Sequence, residues 1–309
     1  MSCGAQGSRS GLAYAAQVDF HTVPTDPTLI NLPFSTHNLD MSKTTLEGTD
    51  IQSDRMPRVY RHGVRTSAGD IVADFRKGDF DPFLESVMFN SWSTNTLKVG
   101  VTPKHFYIED RLSDITQFRG FTGMSVNSMQ MSIQSDQMIT TTFSMVGKDF
   151  TISDTSIGTG YTPISTNEPM DGNVGSSSVA IGNVGNSSAT TIITGLDFTI
   201  DNGQEAQHRL GSNVAKCLTY GRATITGTFT AFFEDADLIN RFDNETLTEI
   251  SVTVDDPSGS NPYTFLFPSC KLNGAPVPLE NEQTRFFTIP FVALFDATEN
   301  SNLTITRTP

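Results

Sequence analysis

A chain of 309 residues is long enough for one large domain or two of ordinary size. Its 20 Lys and Arg residues against 34 Asp and Glu leave a formal charge of −14, which argues against tight binding to nucleic-acid phosphates. Three scattered cysteines exclude a disulfide framework or a zinc cage, and no apolar run is long enough to span a bilayer.

Residues 1–35 are rich in Pro, Thr and small side chains and predict an extended N-terminal arm. In the next region, residues 36–150, apolar residues alternate along 69–75 as in a strand with one buried face. A short helix is predicted next, with Asp81 as its cap and Pro82 at its first position. Its apolar face comprises Phe80, Phe83, Leu84, Val87 and Met88.

A hairpin closes this region, with strands at 126–133 and 139–146 around a turn at 134–137. Polar side chains alternate with apolar ones along both strands, which predicts one wet face and one buried face. The polar face is predicted to carry Gln130, Ser132, Thr140, Thr142 and Ser144.

No Lys or Arg lies between Lys148 and Arg209, and much of that stretch is Gly, Ser, Thr and Asn. This composition buries little apolar surface, so residues 151–194 are predicted to form a linker or a long loop.

The region 195–309 repeats the order of the first. Leu196-Asp197 matches Leu39-Asp40, and the alternating run 227–233 follows at nearly the same spacing as 69–75. A helix capped by Asp235 and a hairpin with strands at 272–279 and 286–292 around a turn at 280–283 come next. The predicted apolar face of that helix is Leu238, Ile239 and Phe242. The sequence therefore predicts a mainly β protein of two tandem β-sandwich or barrel domains, each with one short α-helix.

Motifs for catalysis, metal binding or nucleotide binding are absent from the sequence, so no enzyme activity and no cofactor is predicted. The five histidines are dispersed, and the acids from Glu234 to Asp237 suit a helix start better than a cation site. An acidic hydrolase using residues such as Asp54, Asp74 and Glu234 ranks last among the hypotheses.

Several blocks within residues 20–150, in order, resemble the tail tube proteins of long-tailed, non-contractile bacteriophages. They begin with LDMSKTTLE from Leu39 and DIQSDR from Asp50, and continue with RHG from Arg61 and DPFL from Asp81. The hairpin FTGMSVNSM from Phe121, ending in MVGK at Lys148, is also similar. The second half matches only through the internal repeat.

The resemblance implies β-sandwich tail-tube domains that join sheets with their neighbours to make rings. Stacked rings would surround a tape-measure protein and conduct DNA from capsid to host. The loop at about 43–63 would reach the adjacent ring, and the polar hairpin face would line an acidic lumen that DNA crosses without specific binding. The charged inter-ring candidates are Lys43, Glu47, Asp50, Asp54, Arg55, Arg58 and Arg61.

Two domains in each chain favour a ring of three chains with pseudo-hexameric symmetry, while a second half that is an appendage would require six chains. Terminator and tip proteins would bind the tube ends, and the protein would assemble in the host cytoplasm and reside in the virion. The alternative function is a β-sandwich module for capsid decoration or adhesion.

Overall fold

The computed structural model describes residues 4, 6–51, 53–54, 56–173, 177–188, 192–276 and 285–308, with the backbone alone at 187 and 188. The fold is mainly β, as predicted. Over these residues it has a 3-10 turn at Gly7–Arg9 and two helices, α1 (Asp81–Met88) and α2 (Asp237–Asp243). In chain order the strands are β1 (Ser10–Gln17), β2 (Thr28–Leu32), β3 (Thr36–His37), β4 (Asp40–Glu47), β5 (Tyr60–Asp74), β6 (Thr96–Lys98), β7 (His105–Leu112), β8 (Gln117–Gln134), β9 (Thr140–Gly147), β10 (Asp149–Ser153), β11 (Gly160–Tyr161), β12 (Ser178–Asn183), β13 (Asn186–Ser188), β14 (Ile193–Asp201), β15 (Glu205–Gln207), β16 (Cys217–Thr219), β17 (Thr224–Phe232), β18 (Thr248–Val254), β19 (Tyr263–Leu272), β20 (Phe286–Ala293) and β21 (Thr304–Arg307).

Strand β8 belongs to two parts of the sheet network. Its first portion pairs with β7 and β10 in a short sheet of order β11-β2-β1-β7-β8-β10. Its second portion pairs with β9 and β14 in a long sheet of order β4-β5-β9-β8-β14-β17-β20-β19-β18-β12-β13. The hydrophobic core draws side chains from both parts and from both halves of the chain.

The alternating runs form strands with one buried face. Ile71, Ala73 and Phe75 are buried, which confirms the first strand. In the second run Phe229 and Ala231 are buried, but Phe233 is 39% exposed because β17 ends one residue before it.

Helix α1 buries its whole predicted apolar face, but Asp81 does not cap it. Asp81 is the first helical residue and Phe80 is the N-cap, without a side-chain hydrogen bond. The Asp81 carboxylate instead accepts a hydrogen bond from the Tyr263 hydroxyl at 2.8 Å and pairs with Arg307, both in the second half. Burial raises the pKa of Tyr263 to about 12, so this hydroxyl remains a donor.

Helix α2 contains all three predicted apolar positions, but it begins one residue later than a cap at Asp235 implies. Leu238 is buried and Ile239 packs against the core, but Phe242 is 42% exposed near the helix end. The N-cap is Ala236, while an oxygen of Asp235 accepts the Asp237 N–H at 2.8 Å. Asp235, one residue before the N-cap, thus accepts a hydrogen bond from the free backbone N–H of the first helical residue.

Residues 1–35 are not only an extended arm. Strand β1 pairs with β2 and β7, and Leu12 and Tyr14 are buried in the core. The apolar run from Leu12 to Ala15 is buried on both faces of β1, which explains why this segment joins the sheet.

Residues 151–194 also carry regular structure. Strand β12 pairs with β18, and the buried Met170 accepts a backbone hydrogen bond from the Ile139 N–H and donates one to the Phe75 carbonyl. The few apolar residues of this segment attach it to sheets formed by other parts of the chain.

The first predicted hairpin is confirmed as β8 and β9. The second differs: β19 ends at Leu272, and only Cys270 to Leu272 pair with β20. The next residues to 276 form no strand, and Pro276 lacks the N–H that a ladder needs. Residues 277–284, with the predicted turn at 280–283, lie outside the described residues.

The aromatic cluster around α1 carries much of the core. Phe83 is fully buried, with its ring centroid 5.2 Å from that of Tyr14, 5.1 Å from Phe106 and 5.3 Å from Phe143.

Phe83→Ala should therefore lower the free energy of unfolding by about 3–5 kcal/mol, through lost burial and the cavity that remains. Denaturant titration of unassembled protein measures this change. The control Phe295→Ala, at a residue 67% exposed, should change it by less than about 0.5 kcal/mol. A loss of under about 1 kcal/mol for Phe83→Ala would contradict the packing argument.

Candidate functional site

The candidate inter-ring residues lie on a long hairpin made by β4 and β5. Seven residues of β5, 60–66, precede Ser67, the first that pairs with β9. Over those seven residues β4 is the only described strand that pairs with β5, so the hairpin extends roughly 20 Å past the sheet at about 3.3 Å per residue.

The structure places the described charged candidates along this hairpin with exposed side chains. Asp54 and Arg58 form an ion pair of 2.6 Å, and Arg58 is 61% exposed. Solvent screening makes such a pair worth little for folding, so these charges are available to a partner. Arg55 lies outside the described residues. The charged candidates that the structure describes are Lys43, Glu47, Asp50, Asp54, Arg58 and Arg61.

The hairpin tip also carries exposed apolar side chains, which the sequence analysis did not single out. Their exposed fractions are 57% for Leu46, 99% for Ile51, 65% for Met56, 40% for Val59 and 62% for Tyr60. In the sequence, the apolar residues scattered through this charged segment are the feature that could have indicated an exposed apolar surface. Several exposed apolar side chains on one projecting element are typical of a protein contact.

The base of the hairpin is held by residues from both halves. The Arg65 N–H donates to the Asn213 carbonyl at 2.8 Å, and His208 Nε2 lies 3.0 Å from the Arg65 carbonyl. The Arg65 guanidinium also pairs with Asp149 at 2.8 Å. These contacts fix the direction in which the hairpin leaves the sheet.

The second feature is the polar face of the long sheet. All five predicted polar-face residues lie on it, each in a transverse row that continues into the second half of the chain. The row through Gln130 is Val72, Thr142, Gln130, Thr199, Thr226 and Val292. The row through Ser132 is Asp74, Thr140, Ser132, Asp197, Thr228 and Pro290. The row through Ser144 is Asp70, Ser144, Ser128, Asp201 and Thr224.

Carboxylates give this face a negative charge. They belong to Asp70, Asp74, Asp197 and Asp201, and none forms an ion pair within the described residues. Asp70 accepts from the Ser144 hydroxyl at 2.6 Å and Asp197 from the Gln134 amide at 3.3 Å. The alternation within the β8–β9 hairpin does not identify these acids, because they lie on the neighbouring strands β5 and β14.

The third feature is an open strand edge. Strand β4 is hydrogen-bonded to β5 on one side, and no described strand pairs with its other side. Seven of its eight residues are exposed, all except Met41. Such an edge presents unpaired backbone donors and acceptors to another chain.

Buried carboxylates elsewhere have structural partners. Glu109 is fully buried and accepts hydrogen bonds from Tyr161 at 2.5 Å and Ser156 at 3.0 Å. Burial, with Glu109 nearby, raises the pKa of Tyr161. These bonds attach the segment after β10 to the short sheet.

Among the described residues, no group of three or more His, Cys, Asp or Glu side chains could hold a metal ion. The helices found in that part of the chain are also too short and too polar to cross a bilayer.

A search of curated proteins found no match to this chain. A family model described as phage tail tube protein matches residues 7–293, nearly the whole chain. The matched region includes the projecting hairpin, the polar sheet face and the open edge. The chain belongs to the phage tail tube protein family.

Proposed function

We propose that this protein polymerises into stacked rings that form the tail tube of a long, non-contractile phage tail. Family membership makes it a structural virion component. The tube would surround a tape-measure protein, end at terminator and tip proteins, and conduct DNA during ejection. Assembly would take place in the host cytoplasm.

The observation that carries this proposal is the junction of the two halves inside one chain. Residues 128–134 of β8 pair with residues 195–201 of β14 over seven consecutive positions. Strand β8 ends the sheet of the first half, and β14 starts that of the second. Within one chain, the second half thus extends the sheet of the first half through backbone hydrogen bonds.

The open edge of β4 makes the same junction available between chains. Leu39-Asp40 matches Leu196-Asp197 in the proposed internal duplication, so β4 corresponds to β14. The second-half equivalent of β8 is the end of β19, which pairs with β20 from Cys270 to Leu272. In a ring, the end of β19 of one chain would pair with β4 of the next, and the open edge of β4 would be satisfied.

A continuous sheet of this kind would direct its polar, acidic face toward the lumen. Phosphates would meet carboxylates and hydroxyls rather than cations, so DNA would pass without the counterion release that drives tight binding. Two copies of the tube domain in each chain would favour three chains in a ring, and six chains remain the alternative.

Electron microscopy of purified protein tests the proposal. Rings or tubes with a central hole are expected, and native mass spectrometry of single rings should give three chains of 33.6 kDa, about 100 kDa. A ring of about 200 kDa would show six chains. Monomers that persist at high concentration would overturn the tube and favour the decoration or adhesion module.

A further inference from the structure

We propose that the far rim of the long sheet is the receptor for the β4–β5 hairpin of a copy in the adjacent ring. This apolar rim is formed by Ile192, Phe233 and Phe286. The inference rests on the proposed function and names the partner surface within it.

The apolar rim and the hairpin lie at opposite ends of the sheet. Starting from the hairpin end, paired residues across the sheet include Asp70, Ser144 and Asp201. Further along the same strands come the rows of Gln130 and Ser132. Beyond both, Phe232 of β17 pairs with Phe286 of β20, at the opposite end from the hairpin.

The apolar rim is the end of the sheet where β17 finishes and β20 begins, and it carries side chains from both faces of the sheet. The Phe232 N–H donates to the Ile192 carbonyl at 3.0 Å, so Ile192 lies beside the end of β17. On the polar face the ring centroids of Phe232 and Phe286 are 4.8 Å apart, and on the opposite face those of Phe233 and the buried Phe287 are 4.9 Å apart. These contacts fix the positions of the phenyl rings of Phe233 and Phe286 at the sheet end.

A substantial part of this aromatic and aliphatic surface is exposed in the single chain. The exposed fractions are 56% for Ile192, 39% for Phe233 and 37% for Phe286. Apolar side chains that cluster at one rim mark a contact with another molecule. Leu46, Ile51 and Met56 on the hairpin tip supply apolar side chains of matching character.

Charges beside the two surfaces are complementary. Glu234 and Asp235 follow Phe233 directly, and the Glu234 carboxylate accepts the Ile192 N–H at 3.4 Å. Arg61 lies on the hairpin as a cation for these acids, and Arg285 on the rim side is a cation for the acidic Asp50 of the hairpin. Complementary charge sets the orientation and register of such a contact.

Two different surfaces at opposite ends make a head-to-tail contact. This kind of contact leaves one free tip and one free rim after each addition, so it propagates along an axis. A contact between two hairpins or between two rims would instead close after one pairing. The second copy of this chain is therefore the partner that fits the rim.

Cysteine cross-linking tests the contact. In a Cys3→Ser, Cys217→Ser background, a chain with Met56→Cys and Ile192→Cys should form covalent ladders of two, three and more chains when assembled protein meets a short bis-maleimide. The matched control combines Met56→Cys with Phe295→Cys. Phe295 is 67% exposed and follows β20 at the hairpin end, so this pair should give no ladder.

Mixing the single variants should give dimers only, because each chain then carries one reactive thiol. Phe233→Asp offers a second measurement, since it should leave rings but shorten tubes. Wild-type protein that forms neither rings nor tubes overturns the proposed function. Two results would contradict the rim as the receptor while leaving the proposed function intact. One is tubes that cross-link through Phe295→Cys but not through Ile192→Cys, and the other is normal tube growth with Phe233→Asp.

Discussion

Tube growth should stop when residues 48–59 are replaced by a two-residue Asn-Gly turn that joins β4 directly to β5. Glu47 and Tyr60 are paired across the hairpin, so a tight turn fits between them without changing the register. The shortened chain keeps its core, because the described residues among those removed are exposed and contribute no side chain to it. Single rings are expected in place of long tubes, as measured by electron microscopy and sedimentation velocity.

A milder variant distinguishes the apolar tip from its charges. Asp54→Asn with Arg58→Gln removes an exposed ion pair worth under about 1 kcal/mol and should leave tubes of normal length. Ile51→Asp with Met56→Asp should shorten them as the turn replacement does. If the turn replacement still yields tubes of wild-type length, the hairpin does not join rings.

Phages whose tube protein carries Gln130→Lys and Thr226→Lys should assemble normal tails and eject DNA poorly. Both residues lie in one transverse row of the polar face, separated by Thr199, and both are exposed. Three chains would place six lysines in each ring, and stacked rings would repeat them along the DNA. Each lysine adds a phosphate contact where the unmodified face offers carboxylates and hydroxyls.

Plaque counts and DNA ejection kinetics measure the loss. Salt supplies an internal check, since binding through six to ten phosphate contacts weakens by about 10³–10⁵ between 50 and 200 mM salt. Purified variant tubes should therefore retain short DNA at low salt and release it at high salt.

Two controls isolate position and charge. Gln130→Asn with Thr226→Ser keeps the face neutral, and Ser113→Lys with Thr155→Lys adds the same charge at exposed turns next to the short sheet. Both controls should infect normally. Normal ejection by the Gln130 and Thr226 lysine variant would show that this face does not line the DNA path.

Local patterns in the sequence determined the mainly β class, the strand from Gly69 to Phe75, helix α1 and the β8–β9 hairpin. Each depends on contacts within a few residues: alternation selects a strand with one buried face, and an apolar stripe selects a helix. The five polar-face residues could be named for the same reason, since alternation fixes which side chains share a face.

Tertiary structure alone decided how distant segments meet. It brought Asp81 to Tyr263 and Arg307, joined β8 to β14, added Asp197 and Asp201 to the polar face, and folded residues 1–35 and much of 151–194 onto the sheets. These pairings connect residues tens to hundreds of positions apart, and their energy comes from backbone bonds and burial that no local pattern encodes. The exposure of Phe233 and Phe242 has the same origin, because an apolar residue is buried only where another segment covers it.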